Sequence, residues 1–368
     1  MALQLTSTPR TDGFYMPAEW APHARTWMLF PQRPDNWRQA ARPAQEAFAR
    51  VANVICQFEP VTMGVNRDQL DRARQVIPSQ VQVIELPNND AWMRDCGPTF
   101  LVNDSGEVRL VNWRFNAWGG LYADWSLDDA VPLKVAEIEG LNYYNAPLIL
   151  EGGSIHVDGE GTLLTTEQCL LNPNRNPNLS REQIEVYLRD YTGADKILWL
   201  GEGVFNDETA GHVDNLACFL RPGWVALTWT DDHNDPQYAI SKDALDRLNR
   251  FTDAKGRKLE VLKIHQPNPV YLTAEEAVGV LPVDGTYPRR AGDRMAASYI
   301  NFYLCNGGVI VPTFDDPHDQ PALDALKSAF PNREVNGIPA REILLGGGNI
   351  HCITQQQPLG SLTNPFTQ

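Results

Sequence analysis

A cysteine close to the end of the sequence carries the strongest chemical signal in the chain. Cys352 follows LLGGGNIH, in which Gly346, Gly347 and Gly348 leave the backbone free of side chains. Glycine allows positive φ angles and a close approach between the backbone and a ligand. A cysteine in an apolar stretch is most often an inert buried residue. The local stretch by itself therefore leaves a nucleophile and a tight structural turn both open.

Acidic residues and a histidine that could serve a nucleophile occur elsewhere in the chain. Asp95 lies beside Arg94 in NDAWMRDCGP, and Glu151 precedes two glycines in LEGGSIH. His212 and Asp214 share the stretch GHVDN, and on a strand this i, i+2 spacing would point both side chains to one face. A thiol, an imidazole and several carboxylates are the groups that a cysteine hydrolase of a cationic substrate needs.

Each of these residues also has a structural interpretation. Arg94 and Asp95 could form an ordinary ion pair, and Glu151 could simply end a strand. His212 could be a structural histidine and Asp214 a turn or cap residue, although their occurrence in one short stretch favours function. A metal site made of Glu151, His212 and Asp214 is conceivable, but no HExxH-like spacing supports it.

The elements that must position these residues alternate between helices and strands. Amphipathic periodicity predicts helices over 34–58, 66–77, 180–193, 241–256 and 321–330. Short apolar runs predict strands over 61–65, 81–86, 99–103, 108–113, 196–200, 225–229, 259–264 and 308–312. Because no low-complexity linker separates them, we expect one α/β domain over residues 1–368.

A hairpin recurs along the chain. In each copy a polar residue opens a strand, a glycine-containing turn follows, and a second strand returns. The five copies span 94–113, 152–166, 211–229, 298–314 and, truncated, 347–358. Such repetition is typical of architectures built from equivalent units. If the units surround an axis, the residues that open them, which include the candidates named above, meet at its centre.

Composition limits the classes of function. The formal net charge of −15 disfavours nucleic acid and anionic membranes as partners. No run approaches the ~18 apolar residues of a membrane span, and the N-terminus lacks a signal-peptide pattern, so we expect a cytoplasmic protein. None of the six cysteines forms a CxxC pair, which predicts neither a zinc site nor a disulfide framework. The cysteines other than Cys352 are interpreted as structural, and His351 as structural or exposed.

Several long and unusual stretches carry a resemblance to a known family. They run from MPAEWAPHARTWMLFP, through NDAWMRDCGPTF, EGGSIHVDGEGTLLTTEQCLLNPNRNP and FNDETAGHVDNLACF, to GTYPRRAGDRMAASYINFYLCNGGVIVP and GGGNIHCITQQQP. In these stretches the chain resembles the agmatine deiminases of the guanidine-modifying superfamily, which includes arginine deiminases and bacterial peptidylarginine deiminases. The resemblance covers nearly the whole chain, and no candidate catalytic position departs from it.

This resemblance implies a five-bladed, pseudo-symmetric α/β propeller, the pentein fold, with the active site on its axis. It also implies a homodimer that hydrolyses agmatine to N-carbamoylputrescine and ammonia without a metal or an organic cofactor. By position, Cys352 matches the family's nucleophile and His212 its general acid/base. Asp95 and Asp214 match the carboxylates that hold the guanidinium, and Glu151 matches the carboxylate that completes the site.

The far end of the substrate decides specificity. Agmatine ends in an ammonium, so we expect acidic or aromatic groups there rather than a paired arginine. The resemblance points to Trp92 and Glu208, although the first could be a core aromatic and the second a solvated loop residue. A deiminase of free arginine and a non-catalytic polyamine-binding protein are alternative functions, but the latter would have no use for Cys352 with His212. A papain-like amidase is disfavoured because its thiol lies early in the chain, whereas Cys352 lies late in a strand-like context.

Overall fold

Strands and helices alternate along the chain, as predicted for an α/β protein. The structure is a computed structural model and describes residues 2–360. The strands are β1 (Gln4–Leu5), β2 (His23–Leu29), β3 (Val61–Val65), β4 (Gln82–Glu85), β5 (Thr99–Val102), β6 (Val108–Arg114), β7 (Tyr143–Ile149), β8 (His156–Val157), β9 (Thr162–Thr166), β10 (Lys196–Leu200), β11 (Ala217–Arg221), β12 (Trp224–Trp229), β13 (Glu260–His265), β14 (Val270–Tyr271), β15 (Arg294–Met295), β16 (Tyr303–Cys305), β17 (Gly308–Thr313), β18 (Glu334–Pro339) and β19 (Gln355–Pro358).

The α-helices differ widely in length, from single turns to fourteen residues. They are α1 (Arg42–Ile55), α2 (Leu70–Val76), α3 (Met93–Cys96), α4 (Ala117–Gly120), α5 (Ser126–Asp129), α6 (Val131–Glu139), α7 (Glu167–Leu170), α8 (Arg181–Thr192), α9 (Val213–Leu216), α10 (Pro236–Leu248), α11 (Ala274–Val278), α12 (Asp319–Ala329) and α13 (Arg341–Leu344). Short 3-10 helices cover Arg38–Ala41, Arg67–Gln69 and Gly152–Ser154.

One plan recurs in five of the sheets within residues 2–360. A first strand pairs antiparallel with a second, and the second pairs parallel with a third that follows a helical connection. The units are β5–β6–β7, β8–β9–β10, β11–β12–β13, β16–β17–β18 and β19–β2–β3. β1 and β4 extend two of these sheets, and β14 pairs with β15 in a separate ribbon. The four complete hairpins predicted from sequence are confirmed, and the described strands form no single closed sheet.

The fifth unit joins the two ends of the chain. Its first strand, β19, follows Cys352, and its second strand, β2, lies near the N-terminus. Gln355 pairs antiparallel with Trp27, and the Trp27 indole N–H donates to Gln357 Oε1 at 2.8 Å. The truncated repeat seen in the sequence is therefore completed by a strand from the other end of the chain.

Helix α1 illustrates how the helices fix the sheets. Ala44, Phe48, Val51 and Ile55 recur on one helical face and are buried. Phe48 belongs to the same apolar cluster as Met63 of β3. Burial of a side chain of this size contributes about 1.5–3 kcal/mol. Such packing fixes each sheet and, with it, the segment that leads into its first strand.

The cysteines and the helices bear on two predictions from composition, one about disulfide bonds and one about membrane spans. All six cysteines are free thiols, as the absence of a CxxC pair predicted. No helix between residues 2 and 360 combines the length and the apolar character needed to cross a membrane. Disulfide bonds therefore contribute nothing to holding the repeated units together.

Candidate active site

The candidate residues occupy one location in the repeated unit, the segment that leads into a first strand. Asp95 lies in α3 before β5, and Glu151 immediately precedes a 3-10 turn before β8. His212 and Asp214 lie at α9 before β11, and Cys352 lies in the turn before β19. These five residues are at most 4% exposed. Four segments that are distant in sequence therefore contribute to one buried region.

Two local predictions are wrong. The GHVDN stretch is not a strand, because His212 is the N-cap residue of α9 and Asp214 lies in its first turn. The Thr209 hydroxyl accepts the His212 N–H at 3.2 Å, so this amide does not enter a sheet. Cys352 lies in a turn because its N–H meets Asn301 Oδ1, at 3.4 Å, instead of a neighbouring strand.

His212 lies between two carboxylates. Its Nδ1 is 3.7 Å from Asp95 Oδ1, and its Nε2 is 3.8 Å from Glu151 Oε2. A β-carbon added to Gly153 would lie within 2.9 Å of Asp95, His212 and Asp214. The absence of a side chain at this glycine therefore lets the imidazole and two carboxylates converge on one point.

Several polar atoms of this cluster have no hydrogen-bond partner. They are both ring nitrogens of His212, Glu151 Oε2 and Asp214 Oδ1, and all four are buried. An unsatisfied buried polar group costs about 1–3 kcal/mol, and native interiors seldom contain one without a reason. The two orphaned carboxylate oxygens mark a place where a ligand rich in N–H groups would complete the hydrogen bonding.

Asp95 is oriented by two donors. Its Oδ1 accepts the Gly153 N–H at 3.0 Å, and its Oδ2 accepts the Trp118 indole N–H at 2.9 Å. Trp118 has a φ of +54°, a conformation that typically costs a non-glycine residue about 1–3 kcal/mol. The sequence analysis did not include this tryptophan among the candidates. Since each carboxylate oxygen has two lone pairs, Asp95 can still accept hydrogen bonds from a ligand.

Arg175 is a second residue that the sequence analysis did not include. Its Nε–H donates to Glu151 Oε1 at 2.7 Å, and both side chains are fully buried. Its other nitrogens donate to the backbone oxygens of Trp118 and Thr209, at 2.8 and 2.7 Å. Arg175 thereby holds Glu151 with only Oε2 directed at His212.

The carboxylates favour a charged imidazole. Burial acts to lower the pKa of His212, but Asp95, the Cys169 thiol and Glu151 raise it well above its ordinary value. Burial raises the pKa of Asp95 to about 6, with His212 opposing the shift and Asp214 adding to it. A protonated His212 can therefore deliver a proton near neutral pH.

The Cys352 thiol lies between two oxygen acceptors. Its Sγ is 3.4 Å from Asn301 Oδ1 and 3.7 Å from Asp214 Oδ2. Burial, followed by the charges of Asp214 and Asp95, raises the pKa of Cys352 well above its ordinary value. Near neutral pH the free site therefore contains a protonated thiol. Asn301 is a third residue that the sequence analysis did not include.

The glycines before Cys352 make room for their neighbours. A β-carbon at the first or third of them would overlap the ring of Trp37 or Trp92. Gly347 has a φ of +106°, and a β-carbon there would overlap the Glu208 carboxylate. The predicted positive φ and close approach are both found at this glycine.

A pocket opens from Cys352 and Asp95 toward the predicted specificity residues. Its other lining residues are Trp92, Trp118, Leu121, Tyr122, Glu208, Thr209 and Gly346–Gly348. Trp92 stacks on Trp37 with ring centroids 5.2 Å apart. Trp92 is therefore both a core aromatic and a wall of the pocket.

Glu208 is partly buried and paired with an arginine, contrary to the interpretation of it as a solvated loop residue. Arg289 donates to both of its carboxylate oxygens, at 2.8 and 2.9 Å. The same guanidinium donates to Asn36 Oδ1 and to the Gly346 carbonyl. Glu208 is therefore not a solvated loop residue. Sequence could not reveal the pair because the two residues are 81 positions apart.

Two groups of described side chains have donor atoms within 4.8 Å of one another, as in a metal site: Glu19, His156 and His351, and Glu151, Cys169 and His212. Their hydrogen bonds oppose a metal. The His156 Nδ1 accepts the Phe219 N–H at 3.2 Å, so its neutral ring carries the proton on Nε2, the nitrogen that faces Glu19. In the second group, Arg175 places a fixed positive charge on the Glu151 carboxylate. Asp214, part of the metal set considered from sequence, belongs to neither group.

Comparisons with known proteins agree with this geometry. A family model described as Porphyromonas-type peptidyl-arginine deiminase matches residues 15–358. The agmatine deiminase of Stutzerimonas stutzeri is 57% identical over 96% of this chain and 98% of its own length. The chain belongs to the agmatine deiminase family. A solved structure of the Enterococcus faecalis agmatine deiminase has a TM-score of 0.95 and 48% identity, covering 98% of this chain and 100% of that one.

A more distant member of the family adds chemical information. The structure of a Cys-to-Ser variant of the C. jejuni agmatine deiminase, described as having substrate bound, is 26% identical with a TM-score of 0.82. It covers 94% of this chain and 96% of that one. The N-terminal domain of the arginine dihydrolase ArgZ, at 14% identity and a TM-score of 0.52, shares the α/β fold alone.

Two of the residues missed from sequence share one signal. Arg175 lies in EQCLLNPNRNP and Asn301 in SYINFYLCNGG, stretches that carry the family resemblance. Neither has a neighbour in sequence that suggests a role. Only the resemblance could have selected them, whereas their contacts with Glu151 and Cys352 required the fold.

Proposed function

We propose that this protein hydrolyses agmatine to N-carbamoylputrescine and ammonia, a step in agmatine degradation toward putrescine. The observation that carries the proposal is the pair of unpartnered buried carboxylate oxygens, Glu151 Oε2 and Asp214 Oδ1, in the cluster that contains the His212 imidazole and the Cys352 thiol. A guanidinium is flat, carries a lasting positive charge and has five N–H donors when attached to a chain. It supplies both the charge and the donors that this acidic pocket lacks.

In the proposed complex, Asp95 and Asp214 hold the guanidinium across the path of the Cys352 sulfur. Asp214 offers a free Oδ1, and Asp95 offers the remaining lone pairs of two oriented oxygens. Charge-assisted hydrogen bonds of this kind contribute about 1.5–3 kcal/mol each. Fixing the plane of the guanidinium converts the attack into an effectively unimolecular step.

The substrate itself helps to ionise the thiol. The carboxylates that raise the pKa of Cys352 in the free site are neutralised when the guanidinium binds between them. A positive charge about 4 Å away is worth roughly 4 kcal/mol at an effective dielectric of about 20. We therefore propose that Cys352 loses its proton to solvent as substrate binds, and that the protonated His212 is a second positive charge that favours the thiolate.

The chemical steps follow from these positions. The Cys352 sulfur forms a bond to the guanidinium carbon, and His212 donates a proton to the departing nitrogen, which leaves as ammonia. The C–N bond breaks and leaves an S-alkylthiouronium on the enzyme. His212 then takes a proton from water, whose oxygen attacks the same carbon. The C–S bond breaks, and the product urea group and the thiol are released.

Glu151 has a supporting role in this scheme. Its Oε2 lies 3.8 Å from His212 Nε2, while Arg175 binds its other oxygen. We propose that Glu151 orients the imidazole or the reacting nitrogen. No step of the scheme requires a metal or an organic cofactor.

The specificity end of the site is proposed to accept an ammonium. Trp92 and Glu208 line the pocket that leads away from Cys352, and aromatic faces and carboxylates both attract alkylammonium groups. The α-carboxylate of free arginine would need a cationic partner at this end. The terminal nitrogens of Arg289 are bonded to Glu208, Asn36 and Gly346, which leaves only its buried Nε without a partner and favours agmatine.

Further features of the proposal come from the family. The five recurring units are proposed to be the blades of a pentein propeller around the site, within one domain over residues 1–368. A homodimer in the cytoplasm with a small cationic substrate, and with neither nucleic acid nor a membrane as partner, completes the proposal. The net charge of −15 supports the choice of a cationic ligand.

Ammonia release tests the function directly. Purified protein should release ammonia from agmatine far faster than from free arginine or a peptidyl-arginine substrate. N-carbamoylputrescine should accumulate in equal amount. Faster release from arginine would replace the proposal with an arginine deiminase, and binding of agmatine without ammonia release would indicate a polyamine-binding protein.

A further inference from the structure

A chain of buried hydrogen bonds reaches the site from behind Asp214. His351 Nδ1 lies 2.8 Å from Asp214 Oδ2, and its Nε2 lies 2.8 Å from Glu19 Oε2. The three residues are at most 5% exposed. His351 was interpreted from sequence as structural or exposed, and Glu19 was not considered. The imidazole thus bridges a carboxylate of the site and a carboxylate from the N-terminal part of the chain.

Both ring nitrogens of His351 act as donors. Each faces a carboxylate oxygen at 2.8 Å, and only the imidazolium form has a proton on each nitrogen. Burial and Arg94 act to lower the pKa of His351, but Glu19 and Asp214 raise it above its ordinary value. The bridge is therefore a charged one with two charge-assisted hydrogen bonds.

Glu19 anchors the far side of the bridge. Its Oε1 accepts the Leu304 N–H at 2.9 Å, and Arg94 NH2 lies 3.8 Å from its Oε2. Arg94 also donates to the His351 carbonyl, at 3.3 Å. Arg94 is thus engaged with Glu19, and the ordinary Arg94–Asp95 ion pair considered from sequence is absent from the described contacts. The imidazole is restrained through both its ring and its backbone.

The bridge determines which oxygen of Asp214 is free. His351 occupies Oδ2, which also lies 3.7 Å from the Cys352 sulfur, while Oδ1 is buried without a partner. Without the imidazole, only the long contact between Oδ2 and the thiol would oppose rotation of the carboxylate, so either oxygen could face the substrate. The orientation of the Asp214 carboxylate therefore depends on His351 as well as on α9.

We propose that His351, anchored by Glu19, is a positioning residue that presents Asp214 Oδ1 to the substrate guanidinium, an inference that rests on the proposed function. His351 lies one residue before the nucleophile, so the same turn supplies the attacking group and orients the group that holds its target. This coupling sets the direction of the guanidinium relative to the sulfur.

Two substitutions separate the halves of the bridge. In His351→Asn the amide nitrogen replaces the ring Nδ1 and can still donate to Asp214. In His351→Gln the amide nitrogen replaces Nε2 and can donate only toward Glu19. Both variants remove the same charge, so a difference between them reports the bond to Asp214. Agmatine binding is measured calorimetrically in each variant combined with Cys352→Ser, and kcat and KM are measured in each single variant.

We expect His351→Gln to bind agmatine about 10- to 100-fold more weakly than His351→Asn, because it lacks one charge-assisted hydrogen bond to Asp214. Its KM for agmatine should be correspondingly higher. Their melting temperatures should be alike. Equal agmatine affinities in the two variants would overturn the proposal. If both variants unfold, Glu19→Gln tests the proposal. This substitution should raise the KM for agmatine several-fold, and an unchanged KM would contradict the proposal. A wild-type protein that releases no ammonia from agmatine would overturn the proposed function and this inference with it.

Discussion

Arg175 donates its Nε–H to Glu151 Oε1 at 2.7 Å, and neither side chain has any exposure to solvent. A fully buried ion pair is costly to desolvate, so its presence beside the candidate site needs a reason. The pair leaves Glu151 Oε2 without a partner, 3.8 Å from His212 Nε2. The arginine thus secures a charged carboxylate in a dry environment and determines which oxygen faces the imidazole.

The first prediction concerns the stability of this pair. Arg175→Met should lower the free energy of unfolding by about 3–5 kcal/mol, because it leaves the Glu151 carboxylate buried without compensation. Urea denaturation measures the change. Arg67→Met is the matched control: the Arg67–Glu85 pair is highly exposed, at 84% and 43% of side-chain area, and should contribute less than about 1 kcal/mol. Equal effects of the two substitutions would contradict the prediction.

The second prediction concerns the nucleophile. Cys352→Ser should retain agmatine binding within a few-fold and lose turnover by more than about 1,000-fold, because a hydroxyl is a much poorer nucleophile than a thiolate near neutral pH. In the unmodified enzyme, rapid quenching and mass spectrometry should find the Cys352 peptide heavier by agmatine minus ammonia. Cys169→Ser alters the other buried thiol near His212. This variant should still form the adduct on the Cys352 peptide. An ordinary rate in Cys352→Ser would end the assignment.

The third prediction concerns the pH dependence of thiol reactivity. Burial, Asp214 and Asp95 raise the pKa of Cys352, so its thiolate should form only at higher pH than that of an ordinary cysteine. Asp214→Asn removes one negative charge, lowers the thiol pKa and should move the midpoint of iodoacetamide labelling to lower pH. Peptide mass spectrometry across a pH series reads the Cys352 site alone.

The control for labelling is Asp12→Asn, which alters a carboxylate bound to Arg109 and Tyr144. This carboxylate does not raise the pKa of Cys352. Its labelling midpoint should equal that of the unmodified protein. A midpoint in Asp214→Asn that stays in place or rises would mean that this carboxylate does not govern the thiol.

The fourth prediction concerns Gly347. A methyl group at Gly347→Ala would overlap the Glu208 carboxylate and displace it from the pocket, so the KM for agmatine should rise at least several-fold. Gly256→Ala isolates the backbone contribution, because Gly256 also has a positive φ, +83°, but open space around it. Both variants should lose stability, and only Gly347→Ala should change KM. Similar KM values in the two variants would exclude a role of Glu208 at the substrate's ammonium end.

Local patterns predicted most elements well. Each strand predicted from an apolar run is present with ends shifted by at most one residue, as for 61–65 and Val61–Val65. The helix predicted over 241–256 instead covers Pro236–Leu248. The Asp235 side chain caps its N-terminus by accepting the Gln237 N–H, and Pro236 occupies its first turn. Capping outweighed the amphipathic pattern that suggested a later start.

For the candidate site, the identities of the residues were predictable from sequence, and the conformation of their segments was not. The residue types, the recurring hairpins and the family resemblance are properties of the sequence, and together they select Cys352, His212, Asp95, Asp214 and Glu151. The conformation of their segments was not predictable, because the N–H groups of His212 and Cys352 bond to Thr209 and Asn301. Those partners are side chains, and sequence does not show which of them a turn will meet.

The sequence by itself determined the chemistry that is available: an acidic chain, a thiol beside glycines, and one imidazole with several carboxylates, each at the start of a repeated unit. Only the tertiary structure decided which atoms of these residues are free to bind a ligand. Arg175 occupies one oxygen of Glu151, His351 occupies one oxygen of Asp214, and Arg289 binds Glu208. Each pairing joins residues far apart in the chain, so it depends on the packing of the units and leaves no local pattern.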